Sequence, residues 1–485
     1  MTDRQVLAID QGTTNTKALL VSETGAVLAR ASCPLATSYP QPGWAEQSAT
    51  EIWRSVQTVI AQIIAQTEAK IDAIAIANQR ETLVVWDARS GQPICPAILW
   101  QCRRTAAACE SLVAAGHNDA VVAATGLAIN PLFPASKLAW VLQNVQGAQH
   151  LANSGHLRAG TVDCWLLWNL TAGAAFATDH SNAARTQLFH TETLVFSSQL
   201  CDLYAVPLTC LPKPLPSDSQ FGQTAASVSD LPAGIPILAM MGDSHAALYG
   251  HGVRGPGAVK ATYGTGSSLM TLAPQRVASK SGLSGTIAWT TRDGTAYALE
   301  GNITVSAQAA AFMSEILGLS DVQALSRLAQ SVADSGGVSF VPALAGLGAP
   351  HWDDHATGTI TGMTHATTKA HLARASFEAI AHQIADVFDA MEQDIGSQIA
   401  ELRADGGGSA NDFLMQLQAD CLGRRVLRSD IAEIGAIGVA AMALNRPVDL
   451  EADRAAAMSG FDPRLSAEQR QDARARWAKA LVKAR

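Results

Sequence analysis

An α/β fold of two large domains is what this sequence predicts, and three observations carry the prediction. The chain has 485 residues, enough to bury two sizeable cores. Short apolar runs of strand type alternate with stretches whose apolar residues recur at helical spacing. A strand, a Gly/Thr turn and a second strand open the chain, and the same unit recurs in weaker form past the midpoint.

The elements follow in order. The apolar run Val6 to Ile9 ends on Asp10, turns through Gln11-Gly12-Thr13-Thr14 and returns as Ala18 to Val21; Glu23-Thr24-Gly25 leads into a third run, Ala26 to Ala29. Strand, polar Gly/Thr hairpin, strand points backbone N–H groups and hydroxyls at an anion. A carboxylate at the strand end repels phosphate directly, so its natural partner is a divalent cation that carries the phosphate. Two readings are open here: a polar surface hairpin, or the first phosphate loop of an actin/hexokinase-type ATP-binding fold.

Ser48-Ala49-Thr50-Glu51 is a capping-box pattern, followed by Ile52, Val56, Ile60 and Ile63 on one helical face. A strand, Ile71 to Ala77, delivers Asn78-Gln79-Arg80-Glu81 at its end, and Leu83 to Trp86 returns. Polar residues at strand ends of an open α/β sheet are where ligands sit. Leu211 to Pro236 reads as loops around short strands, and the domain division falls near Gly250 to Gly257. The expected domains are therefore 1–250 and 251–485. Beyond the division, Ala258 to Tyr263 is a strand, Gly264-Thr265-Gly266-Ser267-Ser268 a turn, and Leu269 to Leu272 a strand. Phe377, Ile380, Ile384, Val387 and Met391 mark a core helix. Ile399 to Ala404 is a strand, and Asp405-Gly406-Gly407-Gly408-Ser409-Ala410-Asn411 opens a helix, where glycines let a ligand approach the backbone. Asn411 stands where a dinucleotide fingerprint needs its third glycine, and no Walker-type Gly-x-x-x-x-Gly-Lys occurs. A Rossmann or P-loop site is thereby disfavoured.

Hydrophobic residues make up 48% and charged residues 16%, which describes a compact globular chain. A net charge of −8 with scattered Lys and Arg disfavours nucleic acid and membrane surfaces as partners. Met1-Thr2-Asp3-Arg4-Gln5 leads directly into the first strand, and no apolar stretch is long enough to span a bilayer. Eight cysteines without a Cys-x-x-Cys pair read as cytosolic thiols. The expectation is a cytoplasmic enzyme without membrane insertion.

Phosphoryl transfer needs ATP held by backbone donors, a metal on its phosphates and a base beside the acceptor hydroxyl. Met241-Gly242-Asp243-Ser244-His245 supplies a candidate base at a loop-to-helix junction. Proton removal by such a carboxylate is worth roughly 10²–10⁴-fold in rate. The alternative for Asp243 is a helix N-cap.

With these motifs together, the chain resembles the FGGY family of carbohydrate kinases, and within it the glycerol kinases. Asp10-Gln11-Gly12-Thr13-Thr14, Asn78-Gln79-Arg80-Glu81-Thr82, Trp100-Gln101-Cys102-Arg103-Arg104, Gly160-Thr161-Val162-Asp163, Gly264-Thr265-Gly266 and Gly346-Leu347-Gly348-Ala349-Pro350 carry the resemblance end to end. Gly358-Thr359-Ile360-Thr361-Gly362-Met363, then His371 to Glu378, meet the family's C-terminal signature in full. The N-terminal signature around Pro134, Lys137 and Trp140 departs at its first position, Leu132. The resemblance implies two actin/hexokinase-like (ribonuclease H-like) ATPase domains facing a central cleft that closes on its substrates. It implies substrate and phosphate binding by the N-terminal domain and nucleotide binding by the C-terminal one. ATP and Mg2+ are the implied cofactors, a small polyol or sugar the acceptor, and a homodimer or homotetramer the implied assembly.

The implied roles are these. Asp243 is the catalytic base and shares the metal with Asp10. Arg80, Glu81 and Trp100 bind the acceptor. Thr13, Thr14, Asn15 and Lys17 meet the phosphates together with Gly264 and Thr265, while Gly407 and Asn411 hold the nucleoside. Leu132, Ser244 and Ser268 stand where glycerol kinases carry Tyr, Gln and Phe in the glycerol pocket. All three are smaller, which points to an acceptor larger than glycerol, a four- or five-carbon polyol or ketose; glycerol remains the default. Ala307 and Ala311 replace the family's Gly and Gln beside adenine. Ser227 to Pro236 lacks the Gly-rich, Arg-bearing loop through which bacterial glycerol kinases bind fructose bisphosphate, so no inhibition by that sugar is expected. A non-kinase ATP-driven sensor or clamp is the reading from another class, and the joint presence of Arg80, Glu81, Trp100 and Asp243 argues against it.

Other features carry less. His351-Trp352-Asp353-Asp354-His355 resembles a metal motif, but its spacing converges only on a helix, and Pro350 and Gly358 flank it. His245 either tunes Asp243 or sits in the first turn of a helix. Trp165 and Trp168 read as core, and Cys102 and Cys109 as one helix face.

Overall fold

In the computed structural model, residues 4–431, 433–445 and 458–485 are described; Met1 to Asp3 of the sequence reading lie outside them. By contacts, the described residues within Met1–Gly252, Gly285–Ala298 and Glu433–Glu451 form one compact unit. Those within Val253–Ser284, Leu299–Ala432 and Ala452–Arg485 form a second.

The first unit is built on β1 (Gln5–Gln11), whose central residues Val6 to Ile9 are buried on both faces. β1 pairs antiparallel with β2 (Asn15–Ser22), which pairs antiparallel with β3 (Val27–Pro34). α1 (Ala49–Gln66) starts where the Ser48 side chain accepts the Glu51 N–H, and buries Ile52, Val56, Val59, Ile60 and Ile63. On the other side of β1 lies β4 (Ala73–Asn78), parallel to it. α2 (Pro134–Asn144) takes its proline at the first turn, where a missing N–H costs nothing. β5 (Pro236–Gly242) pairs parallel with β4 and runs directly into α3 (Asp243–Gly250). These five strands lie in the order β5-β4-β1-β2-β3, and a short sixth strand, Gly222–Gln223, pairs antiparallel with β5 at the edge.

The second unit repeats the plan. β6 (Ala258–Tyr263) pairs antiparallel with β7 (Ser267–Ala273) across the second Gly/Thr turn. α4 (Lys369–Ile395) is a core helix that buries Phe377, Ile380, Ile384, Val387 and Met391, as its spacing predicts. β8 (Glu401–Asp405) lies parallel to β6, and Arg425–Ser429 lies parallel to β8. Between them a 3-10 turn, Gly407–Ala410, leads into α5 (Asp412–Leu422). Each unit therefore sets an antiparallel strand and two parallel strands around its first strand. α6 (Ile434–Ala443) returns the chain to the first unit and packs on α3, β4 and β1. α7 (Ala467–Ala484) packs on α4 and α5 in the second.

Three local expectations change. Asp243 follows a strand rather than a loop, and it is the first residue of α3, with Gly242 in the cap position. Cys102 and Cys109 both enter the core but not one helix face, because the helix begins only at Ala106. Asp405 and Asn78 belong to the strands they were expected to follow. Trp165 is core, as read from the sequence, with its indole N–H on the Ala49 carbonyl.

Candidate active site

The hairpin between β1 and β2 sets the first group of residues. Gly12 N–H donates to the Asn15 carbonyl at 3.0 Å, closing the turn, and a Cβ on Gly12 would stand 3.1 Å from that oxygen. Only the smallest residue fits so tight a loop without displacement. Asp10 sits directly across the ladder from Lys17. The Thr13 hydroxyl donates to Gln79 Oε1 at 3.2 Å and accepts the Trp100 indole N–H at 3.0 Å, while the Thr13 carbonyl accepts Gln47 Nε2 at 2.6 Å. Thr14 is exposed, and its carbonyl accepts the Leu35 N–H.

The ends of β4 and β5 bring in the second group. Arg80 Nε donates to Asp243 Oδ1 at 3.1 Å, and Arg80 Nη2 donates to Ser244 Oγ at 3.3 Å. Arg80 is buried, whereas the Asp243 side chain keeps 40% of its exposure. A carboxylate so placed is oriented from one side and open on the other. Its Oδ1 also accepts the Ser244 N–H at 2.6 Å.

Glu81 follows with a left-handed φ of 60°, and its Oε1 accepts Arg185 Nε at 2.6 Å. Trp100 is 39% exposed, and Leu132 is half-buried. His245 is fully buried in the first turn of α3.

α6 completes the acidic end of this site. A Cβ on Gly435 would lie 3.5 Å from the Asp243 carbonyl oxygen and 3.8 Å from Asp10 Oδ2, so one residue adjoins both acidic segments. Burial, then the charge of Asp243, push Asp10 up to about 7, against the pull of Lys17. Buried Asp10 lacks full compensation of its charge, and Asp243 beside it is held on one side by Arg80. The two carboxylates suit a small hard cation that takes one or two protein carboxylates and completes its shell with phosphate oxygens and water. Among the described residues, no group of three or more His, Cys, Asp and Glu side chains gathers to form a closed metal cage. His351 of the sequence motif instead meets Asp386 at 3.1 Å.

In the second unit, the Gly264-Thr265 turn accepts the start of the next helix. The Gly264 carbonyl takes the Ala307 N–H at 3.1 Å, and the Thr265 carbonyl takes the Ser306 N–H at 2.8 Å. Ala307 and Ala311 lie one turn apart on helix Ala307–Ile316, with Ala311 exposed. A Cβ on Gly408 would reach within 3.2 Å of Ala307 Cβ, so the glycine turn and this helix adjoin. Gly407 faces open space, with nothing within 4 Å of an added Cβ. Asn411 caps α5 by accepting the Leu414 N–H at 3.1 Å. Ser268 Oγ donates to the buried Glu300 at 3.0 Å.

The structure thus groups Asp10, Lys17, Arg80, Glu81, Asp243 and Ser244 in one unit, and Gly264, Thr265, Ala307 and the glycine turn in the other. Sequence reasoning missed Arg185, Gln47 and Gln79 as supports of this site. For Arg185, the only signal was an arginine set among small and apolar residues, in Ala183-Ala184-Arg185-Thr186-Gln187-Leu188.

The chain is similar to known proteins along almost its whole length. The model of the FGGY family of carbohydrate kinases, N-terminal domain, matches residues 5–250, and that of the C-terminal domain matches residues 259–445. A glycerol kinase of Symbiobacterium thermophilum is 44% identical, covering 99% of this chain and 98% of that protein. An apulose kinase of Pectobacterium atrosepticum is 47% identical, covering 90% of this chain and 88% of that one. Among solved structures, the glycerol kinase of Plasmodium falciparum with ADP superposes with a TM-score of 0.94. It is 28% identical and covers 99% of this chain and 98% of its own.

Proposed function

Because this chain belongs to the FGGY family of carbohydrate kinases, with its two-domain actin/hexokinase-like fold, we propose that it transfers the γ-phosphoryl group of ATP to a hydroxyl of a small polyol, glycerol to glycerol 3-phosphate being the default reaction. The observation that carries this reading is Asp243, oriented by Arg80 on one side and open on the other. The carboxylate takes the acceptor proton as the oxygen attacks. Arg80 fixes the geometry of that carboxylate, and Glu81 accepts from an acceptor hydroxyl. Arginine and glutamate together form a multiple donor and a strong acceptor, suited to neighbouring hydroxyls. Trp100 offers an apolar face to the carbon chain. Thr13, Thr14, Asn15 and Lys17 supply phosphate donors from the first unit. Thr265, Gly264, Gly407 and Asn411 supply nucleotide contacts from the second, so the domain roles are acceptor and phosphate in the first and nucleotide in the second. Asp10 and Asp243 would hold Mg2+, which would supply neutralising charge for the phosphoryl group.

A second reading is supported by Leu132, Ser244 and Ser268. Each is smaller than the Tyr, Gln or Phe that glycerol kinases carry there, and the Ser244 hydroxyl is already engaged by Arg80. An acceptor of four or five carbons fits these replacements. An assay across glycerol, erythritol, threitol, ribulose and xylulose separates the readings: turnover confined to glycerol refutes the larger acceptor. Asp243→Ala is expected to lower kcat by at least 10²-fold while ADP still raises the melting temperature. Retained turnover would remove Asp243 from the base role.

A further inference from the structure

Three separate segments carry the residues read above as acceptor contacts: Glu81 after β4, Trp100 in the following loop, and Leu132 before α2. One buried ammonium collects all three backbones. Lys137, on α2, directs Nζ to the Leu132 carbonyl at 2.7 Å, the Glu81 carbonyl at 3.2 Å and the Trp100 carbonyl at 3.5 Å. A second buried cation, Arg185, holds the side chain of Glu81 at Oε1 and lies over the Phe133 ring, with Cζ 5.2 Å from its centroid. Both cations have no exposed surface, so neither is available to touch an acceptor. Glu81 needs this support, because a non-glycine residue at φ 60° is strained and persists only where its surroundings hold it. With Arg185 on Oε1, Oε2 has no hydrogen-bond partner among the described residues and is the oxygen left for a hydroxyl.

We propose that Lys137 and Arg185 are positioning residues that shape the acceptor site from behind, Lys137 through the backbones of Glu81, Trp100 and Leu132 and Arg185 through the Glu81 carboxylate. The proposal rests on reading Glu81 as an acceptor ligand. Removing either cation leaves ATP binding in place and loosens the acceptor, so its signature is a split between acceptor KM and ATP KM. A residue that serves only general stability shows no such split.

The test compares Arg185→Met, Lys137→Met and Glu81→Gln with the parent, using glycerol and ribulose as acceptor probes and the ADP-induced melting shift as the readout of folding. Expected is a rise of at least tenfold in acceptor KM for each Met variant, with ATP KM within twofold of the parent. Arg185→Lys, which can still donate to Oε1, recovers part of the loss. In the Glu81→Gln background, Arg185→Met adds less than threefold, because Arg185 acts through Glu81. Acceptor KM within twofold of the parent in Met variants that bind ADP overturns the proposal, as does an undiminished Arg185→Met effect in the Glu81→Gln background. Where a Met variant gives no ADP shift, Arg185→Lys and Lys137→Arg decide by the same KM ratio. An unchanged acceptor KM in Glu81→Gln alone rejects the acceptor reading itself, which separates that failure from a failure of the two cations.

Discussion

Arg80 reaches three of the candidate residues at once, through Nε to Asp243, Nη2 to Ser244 and Nη1 to Glu81 at 3.8 Å. A lysine offers one point charge and cannot reproduce that fork. Arg80→Lys is therefore expected to lower kcat/KM for the acceptor by at least tenfold; a change under twofold would show that the fork is dispensable. His382 gives a prediction about stability. It is buried, stacked on Trp477, and burial with the charge of Arg474 pulls it down to about 3. The unfolded histidine titrates near 6.5, so between about 3 and 6.5 the unfolded state binds the extra proton. Stability from this group is complete above that window and is lost as pH falls through it, by a few kcal/mol in all. Asp163, pushed up to about 6 by burial, acts in the opposite sense over part of the same range. The difference between parent and His382→Phe isolates the histidine: the variant's melting temperature should fall less steeply between pH 6.5 and 4.5. Parallel curves would contradict the assignment.

At the scale of elements, α6 on α3 is the closest helix contact near the site. A Cβ on Gly438 would fall 1.9 Å from the Ala246 carbonyl oxygen, so the two helices touch backbone to backbone. Gly438→Ala is expected to destabilise by about 1–3 kcal/mol or more, through overpacking, and to depress activity by shifting the segment that bears Gly435. An unchanged melting temperature would show that the contact relaxes freely. This contact also marks where the sequence stops being legible. The two Gly/Thr hairpins, the α1 cap and the core stripe of α4 were all readable, because each depends on neighbours within one or two turns. The α3–α6 contact was not, since Gly250 and Gly438 lie far apart in sequence and only their meeting gives them meaning. Lys137 was visible only as part of a family signature and Arg185 not at all, for the same reason: the role of a buried cation is defined by the distant carbonyls and carboxylate it meets. Cys102 misled because a spacing of seven was read as helical where the chain is still turning.

At the scale of the molecule, the repeated plan of the two units explains why a Gly/Thr turn occurs twice, once beside Asp10 and once at Gly264-Thr265. Family membership assigns kinase chemistry to that plan, and among the described residues no helix is long and apolar enough to cross a membrane. In the proposed reading, the choice of acceptor turns on Leu132, Ser244 and Ser268, the three positions where the resemblance to glycerol kinases implies smaller side chains. The most direct test is phosphorus NMR of the reaction with ATP, Mg2+ and each acceptor of the panel, counting ADP against phosphorylated product. One phosphomonoester per ADP with at least one acceptor, lost in Asp243→Ala, is the expected result. ADP formed without any phosphorylated acceptor across the panel would contradict the assignment of this site to polyol phosphorylation.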